Sequence, residues 1–304
     1  MARDFSVIAS TLPGCLDPSV AIAAARAGGI GVLDLEHATI DSESLAAIAT
    51  IARRPRGRVG VKLDGSDADV LAGCLSAVSA NIDVVILTRP HPAAGAFVHE
   101  LKRRGVTVLI EVTCGVHADI AEGSGADGVI AKGHEAGGWV GDETTFILVQ
   151  RLIARRLSVW AHGGIGRHSA AACFAAGAAG IVIDCQLALT SESPLDETAR
   201  AILGRLDGSE TICIGAELGA PCRVLFRPGC AAVTELRRSA ADLASGDEAA
   251  LNTWRRHVRA RIGWQSLEHN LWLVGQDVAF ADRFAKDCGT VAGVVAALHH
   301  ANPL

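Results

Sequence analysis

Eight short runs of β-branched and aliphatic residues recur through the first two thirds of the chain, and this rhythm is the strongest constraint on its fold. Their starts lie roughly 20 to 30 residues apart, with segments of helical composition between them. The runs cover residues 5–9, 31–35, 59–63, 82–87, 106–112, 128–131, 157–161 and 180–183. Strands that are apolar on both faces and alternate with helices form parallel βα units.

The segments between these runs predict eight helices. They cover residues 18–27, 42–53, 68–79, 94–104, 116–123, 144–155, 169–176 and 195–206. Eight βα units in about 200 residues match the count and size of a (β/α)8 barrel. An open doubly wound sheet is the alternative, but no glycine-rich fingerprint follows the first strand. The pattern therefore predicts an α/β protein with a TIM barrel over residues 1–206.

The rhythm breaks after residue 206. Two short strand-like pieces, 211–214 and 223–226, precede helical stretches over 231–244, 248–262 and 277–298. We expect residues 207–304 to form a mainly helical C-terminal appendage that packs on the barrel.

Charge and cysteine usage exclude several classes of protein. The formal net charge is −5 and the chain has no basic run, which argues against nucleic acid as a partner. Its longest uncharged apolar stretch, 169–183, is shorter than the ~20 residues of a membrane span, and no secretory signal precedes the first strand. Nine scattered cysteines predict reduced thiols in a cytoplasmic protein. No CxxC, HxH or HExxH spacing predicts a metal site.

Acids and bases end the predicted strands, at the face where TIM barrels carry their active sites. A single charge at a strand end is ordinary, because strand ends meet water. Charged residues at seven of the eight ends indicate a mouth suited to proton transfer. The candidate catalytic residues are Lys62, Glu111, Lys132 and Glu135, with Glu36 as a further member.

Two glycine-rich stretches follow barrel strands. The first, 131–141, contains Gly137 and Gly138; the second, 161–166, contains Gly163 and Gly164. With Asp184 and Cys185 after the eighth strand, the second stretch is typical of a phosphate cradle, in which backbone N–H groups and a helix N-terminus face an anion. A tight βα turn is the simpler explanation for either stretch alone.

The sequence resembles the nitronate monooxygenase (2-nitropropane dioxygenase) family of FMN-dependent barrels. The matching pieces are residues 24–33, 125–129, 135–138, 162–165, 176–180 and 274–276. It is most similar to members associated with polyketide and polyunsaturated fatty acid synthases, some of which are enoyl reductases. The resemblance implies an FMN-dependent reduction of acyl intermediates, with NADPH as the reductant. It also implies acyl carrier protein or another acyl thioester, and other synthase domains, as partners.

The resemblance further implies residues that hold FMN. They are Lys62, Gly137, Gly138, His162, Gly163, Gly164, Asp184 and Cys185.

Three positions depart from the family pattern. Trp139 stands where the monooxygenases have their histidine base, so nitronate oxidation is not expected. Lys62 replaces an asparagine, and Asp184-Cys185 replaces a Gly-Thr pair near the phosphate. A carboxylate repels a phosphate unless it is neutralised, so the direction of Asp184 decides whether flavin binding is possible.

Two alternatives to the flavoenzyme follow from these departures. One is a flavin-free barrel enzyme that uses lysine and glutamate for lyase, isomerase or decarboxylase chemistry on an acyl thioester. The other is a non-catalytic docking module of a synthase.

Overall fold

The structure is a computed structural model that describes residues 5–53, 56–77, 81–243 and 247–299. Its strands are β1 (Ser6–Ser10), β2 (Ile30–Asp34), β3 (Arg58–Asp64), β4 (Val84–Thr88), β5 (Thr107–Val112), β6 (Gly128–Lys132), β7 (Gly138–Trp139), β8 (Ser158–His162), β9 (Gly180–Ile183), β10 (Thr211–Ile214) and β11 (Cys222–Leu225). Eight of them form a closed parallel barrel in the order β1-β2-β3-β4-β5-β6-β8-β9. The predicted TIM barrel is confirmed.

The helices follow the predicted positions to within a few residues as far as residue 259. They are α1 (Ser19–Arg26), α2 (Ser42–Ala52), α3 (Ala68–Ala77), α4 (Gly95–Arg103), α5 (Gly115–Gly123), α6 (Thr145–Leu152), α7 (Arg167–Ala176), α8 (Glu197–Leu203), α9 (Ala231–Asp242), α10 (Glu248–Arg259), α11 (Ala281–Cys288) and α12 (Val291–His299). Short 3₁₀ turns cover Pro92–Ala94, Cys185–Leu187, Ala216–Leu218 and Gln276–Phe280. None of the helices in the described ranges is long and apolar enough to span a bilayer.

The prediction of one last helix over residues 277–298 is wrong. The segment contains a 3₁₀ turn and two helices, α11 and α12, separated by Gly289 and Thr290. Gly289 has a φ of +71°, a left-handed conformation that ends α11 and that glycine adopts without steric cost.

The eighth outer helix of the barrel is also not the predicted one. The helix α12 packs against α1, α7 and β1, and its Val291, Val294 and Val295 belong to the main barrel core. The helix α8 instead contributes Ala199 and Leu203 to a separate cluster with tryptophans of the tail. The composition of residues 195–206 predicted a helix, and α8 is a helix. The residues that α8 packs against lie far away in the sequence, so its position was not predictable from the repeat. The domain boundary after residue 206 stays a prediction.

A small antiparallel sheet joins the tail to the loop after β6. Its order is β10-β11-β7, and Cys222 pairs with Trp139. This sheet places the tail segment around residues 216–221 across a cavity from the barrel's strand ends.

Strand alternation places charges directly above an apolar plug. The plug inside the barrel is the cluster of Ile8, Ile30, Val32, Val84, Ile86, Leu109, Ile130 and Val182, with Trp160 packed against it. Successive side chains in a strand point to opposite faces, so a residue two positions further shares the face. Two residues after Leu109 comes Glu111, and two after Ile130 comes Lys132. The inward face therefore ends in a layer of acids and bases at the mouth.

Candidate active site

Lys62 lies at the centre of a group of carboxylates in the mouth of the barrel. Its Nζ is 2.9 Å from Glu36 Oε2, 3.2 Å from Asp34 Oδ2 and 3.6 Å from Glu111 Oε2. The Asp34 contact follows from the strand register, because β2 and β3 pair these two residues side by side. Lys62 is almost fully buried, so these carboxylates take the place of water around its charge.

Glu111 connects this group to a second cation and a histidine. Its Oε1 accepts a hydrogen bond from Lys132 Nζ at 3.1 Å, and its Oε2 is 3.5 Å from His162 Nδ1. On its other side, His162 Nε2 is 3.2 Å from Asp184 Oδ2. Glu111 thus brings the candidate residues Lys62 and Lys132 into one group at the mouth of the barrel, while their catalytic roles stay predictions.

These contacts form one network of buried charged residues, which consists of Asp34, Glu36, Lys62, Glu111, Lys132, His162 and Asp184. The network holds several of its members in their charged forms. Burial alone would raise the pKa of Glu36, but Lys62 and other nearby cations lower it to about 2. Burial likewise opposes the ionisation of Glu111, yet Lys132 and Lys62 hold the pKa of that carboxyl well below its usual range. Burial would lower the pKa of His162, but its hydrogen bond with Asp184 and the nearby carboxylate of Glu111 raise it to about 9. The histidine is therefore a cation at neutral pH.

One carboxylate oxygen in the network is left over. Glu36 Oε1 is buried and has no hydrogen-bond partner among the residues that the structure describes. A buried acceptor without a partner costs about 1–3 kcal/mol, and more when it is charged. Glu36 also lines a cavity, so its carboxylate lies beside a space that a bound molecule can occupy.

That cavity has a volume of about 450 Å³ and lies between the strand ends and the tail. Glu36 and Glu111 line it together with His117 and Trp139. Lys62 and Lys132 are not among its lining residues; they lie behind the two glutamates. A cavity of this size is within the range of small-molecule sites.

Glu135 does not join the network. Its Oε2 accepts hydrogen bonds from the backbone N and the Oγ1 of Thr145, at 3.0 and 3.1 Å. Thr145 is the first residue of α6, and a helix N-terminus attracts a carboxylate through its free N–H groups. Glu135, predicted as a candidate catalytic residue, does not line the cavity above Glu36 and Glu111, because it lies in the loop beyond β6, where strand alternation no longer fixes its direction.

The first glycine-rich loop packs against the tail. A Cβ at Gly137 would lie 2.6 Å from the carbonyl oxygen of Leu273, and the Gln276 backbone N donates to the Glu135 carbonyl at 2.8 Å. Gly137 is therefore required for a close approach of two backbones. Neither Gly137 nor Gly138 lines the cavity above the glutamates.

A carboxylate from the tail occupies the second glycine-rich turn. Gly164, with a φ of +66°, donates its N–H to Asp277 Oδ2 at 3.1 Å. Gln186 Nε2 donates to the same oxygen at 3.0 Å, and Cys185 Sγ lies 3.1 Å from Asp277 Oδ1. Burial and the nearby Asp184 raise the pKa of Asp277 to about 7. Sequence reasoning missed Asp277, although it directly follows the family-like stretch 274–276.

Asp184, Cys185 and Asp277 bring their side-chain ligand atoms within 4.8 Å of one another, a spacing that a metal ion can also use. The carboxylate oxygens already accept hydrogen bonds from the Gly164 and Cys185 amides and from Gln186. N–H groups directed at these oxygens favour an internal hydrogen-bond network over a cation.

The comparisons with known proteins identify the family. The family model described as nitronate monooxygenase matches residues 73–298, and the chain belongs to this family. Relatives in it are FMN-dependent oxidoreductases and dehydrogenases.

The chain is also similar to two curated proteins. The chain is 31% identical over 189 residues to "(3aS,4S,5R,7aS)-5-hydroxy-7a-methyl-1-oxo-octahydro-1H-indene-4-carboxyl-CoA dehydrogenase" of Rhodococcus jostii, which covers 60% of this chain and 52% of that protein. For the protein of the same name from Mycobacterium tuberculosis, the identity is 28% over 81% of this chain and 68% of the relative. The chain thus spans about half to two thirds of the length of these relatives.

Two solved structures share the fold. FabK from Thermotoga maritima superimposes with a TM-score of 0.78 at 24% identity, over 98% of this chain and 93% of FabK. The enoyl reductase domain of MlnA from Bacillus amyloliquefaciens gives 0.75 at 12% identity, over 97% and 92%.

The residues of this chain do not fit the FMN that the family implies. The Gly164 amide, the N–H that a flavin phosphate would need, is taken by Asp277. Asp184 pairs with His162, but its carboxylate still lies beside the position that the flavin phosphate would take. A phosphate dianion would have to displace the Asp277 side chain from the Gly164 amide and would be repelled by the nearby Asp184 carboxylate in this buried site. The middle of the mouth, below the cavity, is filled by the buried lysine–carboxylate network.

Proposed function

We propose that this chain acts on an acyl thioester by acid–base chemistry at the carbon next to the thioester carbonyl, without flavin. The observation that carries the proposal is Glu36: an ionised carboxylate that lines the cavity and has one buried oxygen without a partner. Its lowered pKa keeps this carboxylate unprotonated at neutral pH, the form that accepts a proton, but it also makes it a weak base, so the reaction depends on stabilisation of the enolate as well.

The names of the relatives support the substrate class. Two of them are dehydrogenases of a carboxyl-CoA compound, and one solved structure with this fold is an enoyl reductase domain from a macrolactin biosynthesis cluster. Coenzyme A or an acyl carrier protein is the acyl carrier that we propose for this chain, with other synthase domains as further partners.

The proposed reaction is a double-bond shift. Glu36 takes the α-proton of a β,γ-unsaturated thioester and returns it to the γ-carbon, so the reaction needs no oxidant or reductant. While Glu36 carries the proton, Lys62 stays paired with Asp34 and Glu111. The lysine therefore keeps its charge behind the two glutamates and stabilises the enolate only through the field it adds to the site.

His117 is the candidate donor to the enolate oxygen. It lines the same cavity, and burial lowers its pKa, which favours the neutral ring. Its Nδ1 lies 3.4 Å from the Thr113 backbone N–H, which donates to it, so the ring proton is on Nε2. A neutral imidazole N–H can stabilise an enolate by hydrogen bonding.

Deuterium exchange tests the proposal directly. Wild-type protein in D₂O should exchange the α-protons of butyryl-CoA, followed by NMR, and should isomerise vinylacetyl-CoA. Glu36→Gln should slow exchange by about 10²–10⁴-fold, the usual effect of a lost general base. Glu143→Gln is the matched control, because Glu143 also lines the cavity and also has one buried oxygen without a hydrogen-bond partner among the described residues, but it pairs with the exposed Arg151 and not with the buried Lys62. No exchange by wild type, or equal exchange by Glu36→Gln, would contradict the proposal.

Enoyl reduction with FMN is the second candidate, favoured by the family and by the enoyl reductase domain that shares the fold. It requires that added FMN stays bound after dialysis and that NADPH is oxidised when an enoyl-CoA is present. Stoichiometric flavin with NADPH turnover would support this candidate and overturn the flavin-free one.

A further inference from the structure

We infer that Arg255 and its neighbours bind the phosphate of a phosphopantetheine group, the arm that carries the acyl chain in both coenzyme A and acyl carrier protein. The inference rests on the substrate class of the proposed function and adds a second, separate contact with the same substrate. It is carried by the arrangement of arginines at the entrance to the cavity.

Arg255 lies where two cavities meet. One is the 450 Å³ cavity above Glu36 and Glu111; the other, of about 340 Å³, is lined by residues of the loop after β3 and of α10. Both cavities are lined by Arg89, Trp139 and Arg255. A ligand held at Arg255 can therefore extend toward Glu36 without crossing the protein.

The arginines at this junction outnumber the acids. Arg89 and Arg259 both donate to Asp64, with Arg89 Nε and Arg259 Nη2 each 3.0 Å from its carboxylate oxygens. Arg259 Nη1 is also 3.6 Å from Asp67 Oδ2. Since Asp64 is shared between these two arginines, it is not available to pair closely with a third.

Arg255 is the third arginine. Its Nε is buried and has no hydrogen-bond partner in the part of the chain that the structure describes. Burial and the nearby Arg89 lower the pKa of its guanidinium, while the charges of Asp64 and Glu248 oppose this shift only in part. The exposed Arg256 lines the outer of the two cavities and adds further positive charge.

The backbone holds Arg89 at this junction in a costly conformation. Arg89 is the one non-glycine residue with a positive φ, +50°, within the described ranges. Such strain persists where the surrounding structure requires it, and it is concentrated at ligand sites. A phosphate suits Arg255, whose guanidinium can donate two parallel N–H···O bonds, while Arg89 stays paired with Asp64 and adds positive charge beside it.

Calorimetry with the wild-type chain tests the phosphate contact. The wild type should bind 4′-phosphopantetheine at least ten times more tightly than pantetheine, which lacks the phosphate, and raised salt should reduce the difference. Arg255→Gln should remove most of the preference. Arg103→Gln, which changes an exposed arginine on α4 that pairs with Glu100, should keep it. Circular dichroism and thermal unfolding establish that each variant is folded.

Two further arms identify the source of the phosphate. Titration with coenzyme A reports the free cofactor, and comparison of holo- with apo-acyl carrier protein reports the carrier-bound arm. Dependence of either on Arg255 supports the inference. An unchanged preference in Arg255→Gln, or no binding of any phosphopantetheine compound to the wild type, overturns it.

The proposed reaction can fail independently of this site. Phosphate-dependent binding without deuterium exchange would keep the binding site and reject the acid–base function. Deuterium exchange by the wild type, together with an unchanged preference of Arg255→Gln for 4′-phosphopantetheine over pantetheine, would keep the acid–base function and reject the binding site.

Discussion

The Asp277 side chain accepts a hydrogen bond at 3.1 Å from the backbone N–H of Gly164, a residue 113 positions earlier in the chain. This contact ties the C-terminal tail to the turn after β8, the position where the family resemblance implies a flavin phosphate. The chain thus supplies its own anion to the glycine-rich turn. The same carboxylate also reaches Gln186 and Cys185, so the turn is tied to the region after β9 as well.

Asp277→Asn should change how stability depends on pH. The folded pKa of about 7 lies above the ordinary value of 3.8, so the contribution of this carboxyl is fully present below 3.8 and is lost as pH rises through about 7. Asparagine keeps acceptor and donor positions but does not titrate. The wild type should therefore lose at least about 1 kcal/mol relative to the variant between pH 4 and pH 8, measured by urea unfolding. Parallel stability curves would show that Asp277 titrates normally.

Lys62→Met should destabilise the barrel strongly. Removing this buried cation leaves Asp34 and Glu36 without their lysine and Glu111 with Lys132 and His162 alone, which costs about 3–5 kcal/mol. Lys102→Met is the matched control, because Lys102 is 38% exposed and pairs with Asp127 at the surface. Its loss should cost less than about 1 kcal/mol. Equal midpoints of urea unfolding for the two variants would refute the central position of Lys62.

His162→Gln should remove an alkaline loss of stability. The pKa of His162 is raised from 6.5 to about 9 in the folded state, so its stabilisation is fully present below 6.5 and is lost as pH rises through about 9. Wild type should become less stable between pH 7 and pH 9.5, and the variant should lack this component. NMR titration of the histidine ring measures the pKa directly; a value near 6.5 would contradict the paired geometry.

Glu135→Ala should weaken α6 without affecting chemistry. Losing the acceptor for the Thr145 N–H should cost about 1 kcal/mol, as for other helix-capping side chains. The rate of α-proton exchange per folded molecule should match that of wild type. A large fall in exchange at unchanged stability would restore Glu135 to the catalytic residues.

Nitronate oxidation should be slow or absent. The indole of Trp139 cannot accept a proton as the histidine of the resembling monooxygenases does, and a missing base typically costs about 10²–10⁴ in rate. Oxygen consumption with propyl nitronate measures the activity with added FMN. If the wild type oxidises the nitronate and Trp139→His does not raise that rate, the missing histidine base does not limit the activity.

The local pattern of the chain was enough to predict the barrel and the inward layer of charge. Side chains along a strand point to alternate faces. Because Leu109 and Ile130 point into the barrel, Glu111 and Lys132, two residues further on, point inward at its mouth. The parallel βα repeat then brings these strand ends together at one face. Lys62, Glu111 and Lys132 were therefore predictable without coordinates.

Only the tertiary structure decided which distant segments complete the fold and the site. Asp277 reaches Gly164, α12 takes the outer position that α8 was expected to hold, and Arg255 reaches the cavity entrance from α10. None of these contacts has a local signature, because hydrophobic and charged groups choose partners by the geometry of the folded chain. The sequence alone determined the periodic helices and strands and the residues at their ends. Burial arises from long-range packing, and it is burial that makes a carboxylate accept a hydrogen bond from an amide distant in the sequence.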